Sequence, residues 1–194
     1  MAGLSKLQAV NLMLSNIGES PVSTLSGSDG DVFVATAIVI LDEVTRTVQA
    51  EEWEFNTDED YGLTPDISGY ITITDDMISV DASAKSSKID VTVRQGKLYN
   101  KTDQTFVFDD VVYCDVSWEF TFEECPQYMR QYIAVRAARI FARRMLGDST
   151  GQQLTTEDEV QARAQAKASE LNNADVSMLP YDPTGIGRIR IRSI

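Results

Sequence analysis

The run from Pro126 to Asp148 (PQYMRQYIAVRAARIFARRMLGD) constrains this chain more than any other. Proline suits a first helical turn, Gly147 suits the position just past a helix end, and Arg143 and Arg144 complement the dipole there. The pattern predicts a helix. At about 100° per residue, Arg136, Arg139 and Arg143 share one stripe with Tyr132 beside it, and Ala134, Ala138 and Ala142 line the opposite side. The arginine stripe reads either as a solvated face of a bundle helix or as a docking face for an acidic partner.

Charge sharpens the second reading. The chain has 194 residues, 17 basic and 30 acidic, for a net −13. Residues 1–128 carry 7 basic and 23 acidic groups, whereas residues 129–194 carry 10 and 7. The two parts are electrostatically complementary, so copies packed side by side attract across unlike surfaces, and a large acidic face repels nucleic acid. The longest apolar run, Val32 to Leu41, is about half of what a membrane-spanning helix needs. Lys6, Gln8, Asn11 and Asn16 interrupt any signal-peptide core. Cys114 and Cys125, without metal-type spacing around them, read as reduced structural thiols of a protein made in a cytoplasm.

Leu4, Leu7, Val10, Leu14 and Ile17 recur at helical steps, which predicts an amphipathic helix over residues 3–17, stopped by Gly18. Ser28 to Asp31 resembles a capping arrangement ahead of Val32 to Trp53. That segment fits a buried strand in its first ten residues, but Phe33, Ala37, Ile40, Leu41, Val44 and Val48 keep helical spacing and favour one long helix, buried on several sides. From Asn56 to Glu124 the pattern changes to alternating β-formers. Tyr70–Ile73, Met77–Val80, Ile89–Val93, Lys97–Tyr99 and parts of Thr105–Phe122 read as strands, with a turn at Gln95-Gly96 and a break at Asp109-Asp110. Ile71, Ile73, Val91, Val93, Val112, Val116, Trp118 and Phe120 are the expected β core. Thr156 to Glu159 forms a capping box for a last helix, on which Val160, Ala164, Ala168 and Leu171 make a small-residue stripe expected to pack against the alanine face of the arginine helix.

The fold class is therefore α+β. It comprises a bundle of about four helices (residues 1–55 and 125–175), an inserted antiparallel β domain (56–124) and an extended C-terminal arm (176–194). In the arm, Arg188, Arg190 and Arg192 alternate with Ile189 and Ile191, as in a strand that adds to a sheet on a neighbouring subunit or partner.

Catalytic chemistry is sparse. The chain has no histidine, which removes Ser-His-Asp and Cys-His mechanisms and the commonest zinc ligand sets. No phosphate loop is present, and Asp58 to Asp60 with Gly62 reads as a solvated acidic turn, not a calcium loop. No catalytic, cofactor or metal residue is assigned. Two carboxylates suffice for glycoside hydrolysis, so a hydrolase acting on host surface polysaccharide is the alternative function. A DNA-binding module built on Tyr128, Tyr132 and the arginines is a third, opposed by the net charge.

Three blocks carry a resemblance: Ala9 to Leu25 (AVNLMLSNIGESPVSTL), Trp53 to Asn56 (WEFN), and Tyr132 to Phe141 (YIAVRAARIF). In order and spacing they resemble tail tubular protein A, the head-to-tail adaptor family of short-tailed bacteriophages. The resemblance implies a structural virion protein with no cofactor, made in the host cytoplasm. It implies a dodecameric ring of copies that joins the portal protein to the tail nozzle (tail tubular protein B), with DNA crossing the lumen unbound. The helical part would face the portal and the β region the nozzle. Arg136, Arg139, Arg143 and residues 188–192 are the expected partner contacts.

Overall fold

Ser5 opens the first helix: its hydroxyl accepts the Gln8 N–H while the Gln8 side chain accepts the Ser5 N–H, so two otherwise orphaned donors are satisfied reciprocally. The computed structural model describes residues 3–26, 31–147 and 156–177. Helix α1 (Lys6–Asn16) ends where the Glu19 N–H returns to the Leu14 carbonyl at 3.0 Å. The apolar run after it is helical, as its spacing indicates, and forms α2 (Val32–Gln49). Asp31 caps α2 by accepting the N–H groups of Phe33 and Val34; Ser28 lies outside the described residues.

Helix α3 (Gln127–Leu146) is the arginine helix. Pro126 is its cap residue and not part of its first turn, because a ψ of 151° is extended backbone. Helix α4 (Thr156–Ser177) is the last described, and α3 touches α1, α2 and α4. Ala134, Ala137, Ala138 and Ala142 let neighbouring backbones approach α3 closely, so that Asn16 can donate to the Ala138 carbonyl at 3.0 Å. Tyr132, Ile133 and Phe141 fill the space between helices with Met13, Leu14, Ile40 and Leu41.

Among the described residues, five strands form two sheets. The order β1 (Thr57–Leu63), β5 (Val112–Trp118), β2 (Met77–Ala82) is antiparallel throughout, and β3 (Val91–Arg94) pairs with β4 (Lys97–Asn100) as a hairpin. The Gln95-Gly96 turn has φ of 54° and 69°, the left-handed pair that a two-residue hairpin loop demands. Five expectations about this region are corrected. Thr57–Leu63 is a strand and not an acidic turn, since its pairing with β5 outweighs the poor β-propensity of three acids. Tyr70–Ile73 joins its neighbours through single bridges, Tyr70 to Val107 and Thr72 to Lys97, and the early part of Thr105–Phe122 likewise bridges rather than forming a continuous strand. Val93 is 42% exposed, on the outer side of the hairpin. Phe120 packs on the helical cluster, whereas Ile71, Ile73, Val91, Val112, Val116 and Trp118 do belong to the β cluster.

The chain crosses between helices and sheet twice, and two buried amides tie the crossings together. Gln49 accepts the Phe120 N–H at 2.8 Å and donates to the Phe120 carbonyl at 2.9 Å. Asn56 donates to the Gln49 carbonyl at 3.0 Å and the Trp118 carbonyl at 2.9 Å, while its oxygen takes the Trp53 N–H. Trp53 donates to the Val48 carbonyl and sets its ring against Tyr132 at 5.9 Å. The WEFN block is thus the joint of the molecule.

The phase of α4 differs from the expected one. Ala166 (1% exposed) faces inward with Ala162 packed beside it, whereas Val160 is 63% and Leu171 67% exposed, with Ala164 and Ala168 exposed between them. Alanine spacing alone does not choose a face when both sides of a helix carry it. Charged anchors choose it, because Glu159 and Glu170 point inward to partners on α3 and on the segment before β1.

Candidate assembly surface

Of the three arginines in the α3 stripe, Arg136 and Arg139 meet acids of their own chain. Arg136 Nη1 donates to Glu51 Oε1 at 2.6 Å and to Tyr132 Oη at 2.9 Å, and its Nε lies 3.7 Å from Glu159 Oε1. Arg139 Nε donates to Glu159 Oε2, and Arg163 from α4 reaches Glu51 Oε2 at 2.8 Å. The resulting network knits the end of α2, the middle of α3 and the start of α4. Burial opposes the charge on Arg136, but hydrogen bonds to Glu51 and Tyr132 overcome this and raise its pKa. Burial raises the Tyr132 pKa against the pull of Arg136. Side chains at Glu51, Arg136, Arg139 and Glu159 are 16–25% exposed, while Arg163 at the rim of the network is half exposed. Arg143 is exposed one turn further on. Beside it Arg144 makes a two-pronged pair with Glu43 at 3.0 Å, and that hydrogen-bonded pairing holds the Glu43 carboxyl below the ordinary range. Arg188, Ile189, Arg190, Ile191 and Arg192 lie outside the described residues.

Sequence reasoning found the arginines but not their acids. Glu159 stood inside the recognised capping box, and Glu51 just after a helix end; neither position carries a signal for a partner far along the chain. It also missed where apolar surface is left outside. On α2, Val32 (75%) and Val39 (64%) face outward, two helical turns apart with Ala35 exposed on the same side. On α4, Val160 and Leu171 do the same. These faces lie on different helices, each packed against α3 by its other side. A third outward apolar group, Ile67, sits at a loop tip of the β cluster, in the Asp66–Gly69 turn that the Asp66 carboxylate closes by accepting the N–H groups of Ser68 and Tyr70.

Among the described residues no three His, Cys, Asp or Glu side chains converge as a metal site, and no helix is long and apolar enough to cross a membrane. The open grooves are small folds between elements. One, lined by Glu54, Phe55, Pro126, Tyr128, Glu170 and Asn173, has its central carboxylate committed: Glu170 accepts the Glu54 N–H at 2.6 Å, and burial raises its pKa.

A chain of this kind, with its polar groups engaged internally and its apolar faces turned outward, is a structural protein of the bacteriophage tail, as the match to known families establishes. It belongs to the tail tubular protein family, whose model matches residues 7–176. Tail tubular protein A of Klebsiella phage KP34 is 26% identical to it over 147 residues, covering 75% of this chain and 76% of that protein.

Proposed function

We propose that this protein is a head-to-tail adaptor subunit: copies close into a ring between the portal and the tail nozzle and extend the channel through which DNA leaves. The observation that carries the reading is the pair of unlike apolar faces, Val32 and Val39 on α2 and Val160 and Leu171 on α4. A contact between two different faces of one subunit is heterologous, and when its rotation closes it generates a ring. The charge division between residues 1–128 and 129–194 supports the same side-by-side arrangement. A net charge of −13 suits a wall past which DNA slides without adhering. The helical cluster meets the portal and the β cluster, with Ile67 at its tip, meets the nozzle. Arg143 is the α3 arginine best placed to touch a partner, since Arg136 and Arg139 already bridge α2 and α4.

Val39→Asp and Val160→Asp test this. Both sites are on the outside, so each variant retains the wild-type thermal midpoint as a monomer. Each fails to form the complex with portal that native mass measurement detects for the wild type. Rings of normal mass from both variants overturn the proposal.

A further inference from the structure

We propose that the tip of the β3-β4 hairpin, residues 93–97, docks in the next copy's groove between residues 64–69 and 107–111, where Arg94 and Lys97 pair with Asp109 and Asp110. The contact rests on the ring reading and adds to it an interface in the β cluster. Arg94 and Lys97 stand directly opposite one another in the hairpin register, and like charges so placed repel. In a chain with 30 acidic residues, no carboxylate among the described residues pairs with either. Each cation is held over a ring instead. The Arg94 guanidinium lies 4.1 Å from the centre of Tyr99 and the Lys97 ammonium 3.8 Å from that of Tyr70, while Phe106 supports Tyr99 edge-on at 4.8 Å. A ring face covered by a cation is closed to a stacking nucleobase, so the surface suits carboxylates better than single-stranded nucleic acid. The tip also stands clear: Gly96 has open space where a side chain would be, and Val93 is exposed beside it.

The groove has the matching chemistry. Val107 and Val111, 46% and 41% exposed, line it together with Ile67 and offer apolar surface for Val93 to cover. Between them Asp109 and Asp110 are exposed, and among the described residues no cation pairs with either. Asp66 is spent in its own turn, so the loop 107–111 carries the acids that remain for a partner. The shape is fixed before docking. Gly69, at φ 80°, lets the turn press on Val107, where a Cβ would come within 2.7 Å of Cγ1, and its carbonyl accepts the Phe108 N–H at 2.9 Å.

The tip cannot fill its own groove. The Ile73 N–H donates to the Gly96 carbonyl at 2.9 Å, and Gly69 is fastened to Phe108, so tip and groove are held at opposite ends of one bridging segment. Four residues of extended chain separate them by about 13 Å. Two complementary patches that are kept apart within a chain meet between copies set side by side, and a contact between unlike patches is the kind a ring repeats.

Two charge-reversed chains test this, one with Arg94→Glu and Lys97→Glu, the other with Asp109→Lys and Asp110→Lys. None of these four side chains makes an ion pair within the described chain, so both variants keep the wild-type thermal midpoint. Either variant alone sets like charge against like in every contact, and half-assembly on portal, read by native mass measurement, needs about tenfold more protein. An equimolar mixture of the two assembles like the wild type, because alternate contacts oppose Glu to Lys and the rest keep the native pairing. A role confined to folding gives no such rescue. In wild-type rings built from light and heavy isotope-labelled chains, a zero-length carbodiimide links Lys97 to Asp109 or Asp110 in mixed light–heavy peptides. Wild-type assembly by either variant alone overturns this contact and leaves the ring standing, and so does a mixture no better than its parts. If the hairpin substitutions abolish binding of a single-stranded oligonucleotide and leave assembly unchanged, the partner is nucleic acid and the proposal fails. A wild-type chain that forms no ring on portal removes both readings.

Discussion

Cys114 and Cys125 show how burial alone decides the chemistry of a residue. Both thiols are free and inaccessible, and burial pushes each pKa up to about 12, with Asp81 and Asp115 adding to the effect at Cys114. At Cys125 the nearby Arg130 pulls the other way without reversing it, and the sulfur donates to the Thr121 carbonyl at 3.4 Å. An unfolded thiol ionises near 9, so between 9 and about 12 the folded chain holds more protons than the unfolded one. The stability these groups contribute is complete below 9 and is lost as pH rises toward 12. The urea midpoint is therefore expected to fall from pH 9 upward, and to fall less in a Cys114→Ala, Cys125→Ala double variant. The absence of metal spacing around them pointed to structural thiols; how deeply each is buried came only with the fold. The direction of the Arg136 and Arg139 side chains was not legible either, since a 3.6-residue period locates a stripe without saying what faces it.

Helix α4 shows the limit of periodicity at the scale of an element. Its alanines occupy both flanks, so the inward side is set by Glu159, Arg163 and Glu170 and not by apolar content. Removing Arg139 tests that assignment. Arg139→Ala leaves Glu159, 16% exposed, with only the distant Nε of Arg136, and is expected to cost about 1–3 kcal/mol. The loss should be local: exchange across residues 156–170 speeds up while α1 and α2 remain protected. Uniform acceleration over the whole bundle would contradict the role given to this pair. Strand β1 is the converse case. Three consecutive acids conceal it in the sequence, and only the partner strand Val112–Trp118, which is plain from its alternation, brings it into the sheet.

At the scale of the molecule, the α+β class, the four helices and the β3-β4 hairpin were legible, because each rests on local periodicity or turn chemistry. The joint was not. Gln49 and Asn56 look like ordinary polar residues in sequence, yet they are 0% and 1% exposed and link segments about 70 and 60 positions apart. Asn56→Ala removes a donor from the Gln49 and Trp118 carbonyls, the first of which keeps the Glu52 N–H at 3.2 Å, and strips the Trp53 N–H of its acceptor, a loss of about 1–3 kcal/mol. Calorimetry of this variant is expected to resolve two transitions where the wild type gives one, the β cluster melting first. The same joint bears on mechanics. A pull that separates the sheet from the helices is carried by two strands of chain lying side by side, and the amides of Gln49 and Asn56 clamp them crosswise, so tension divides over several bonds at once instead of opening them one by one. A chain fastened in this way bears a pull along its length without coming apart at its waist.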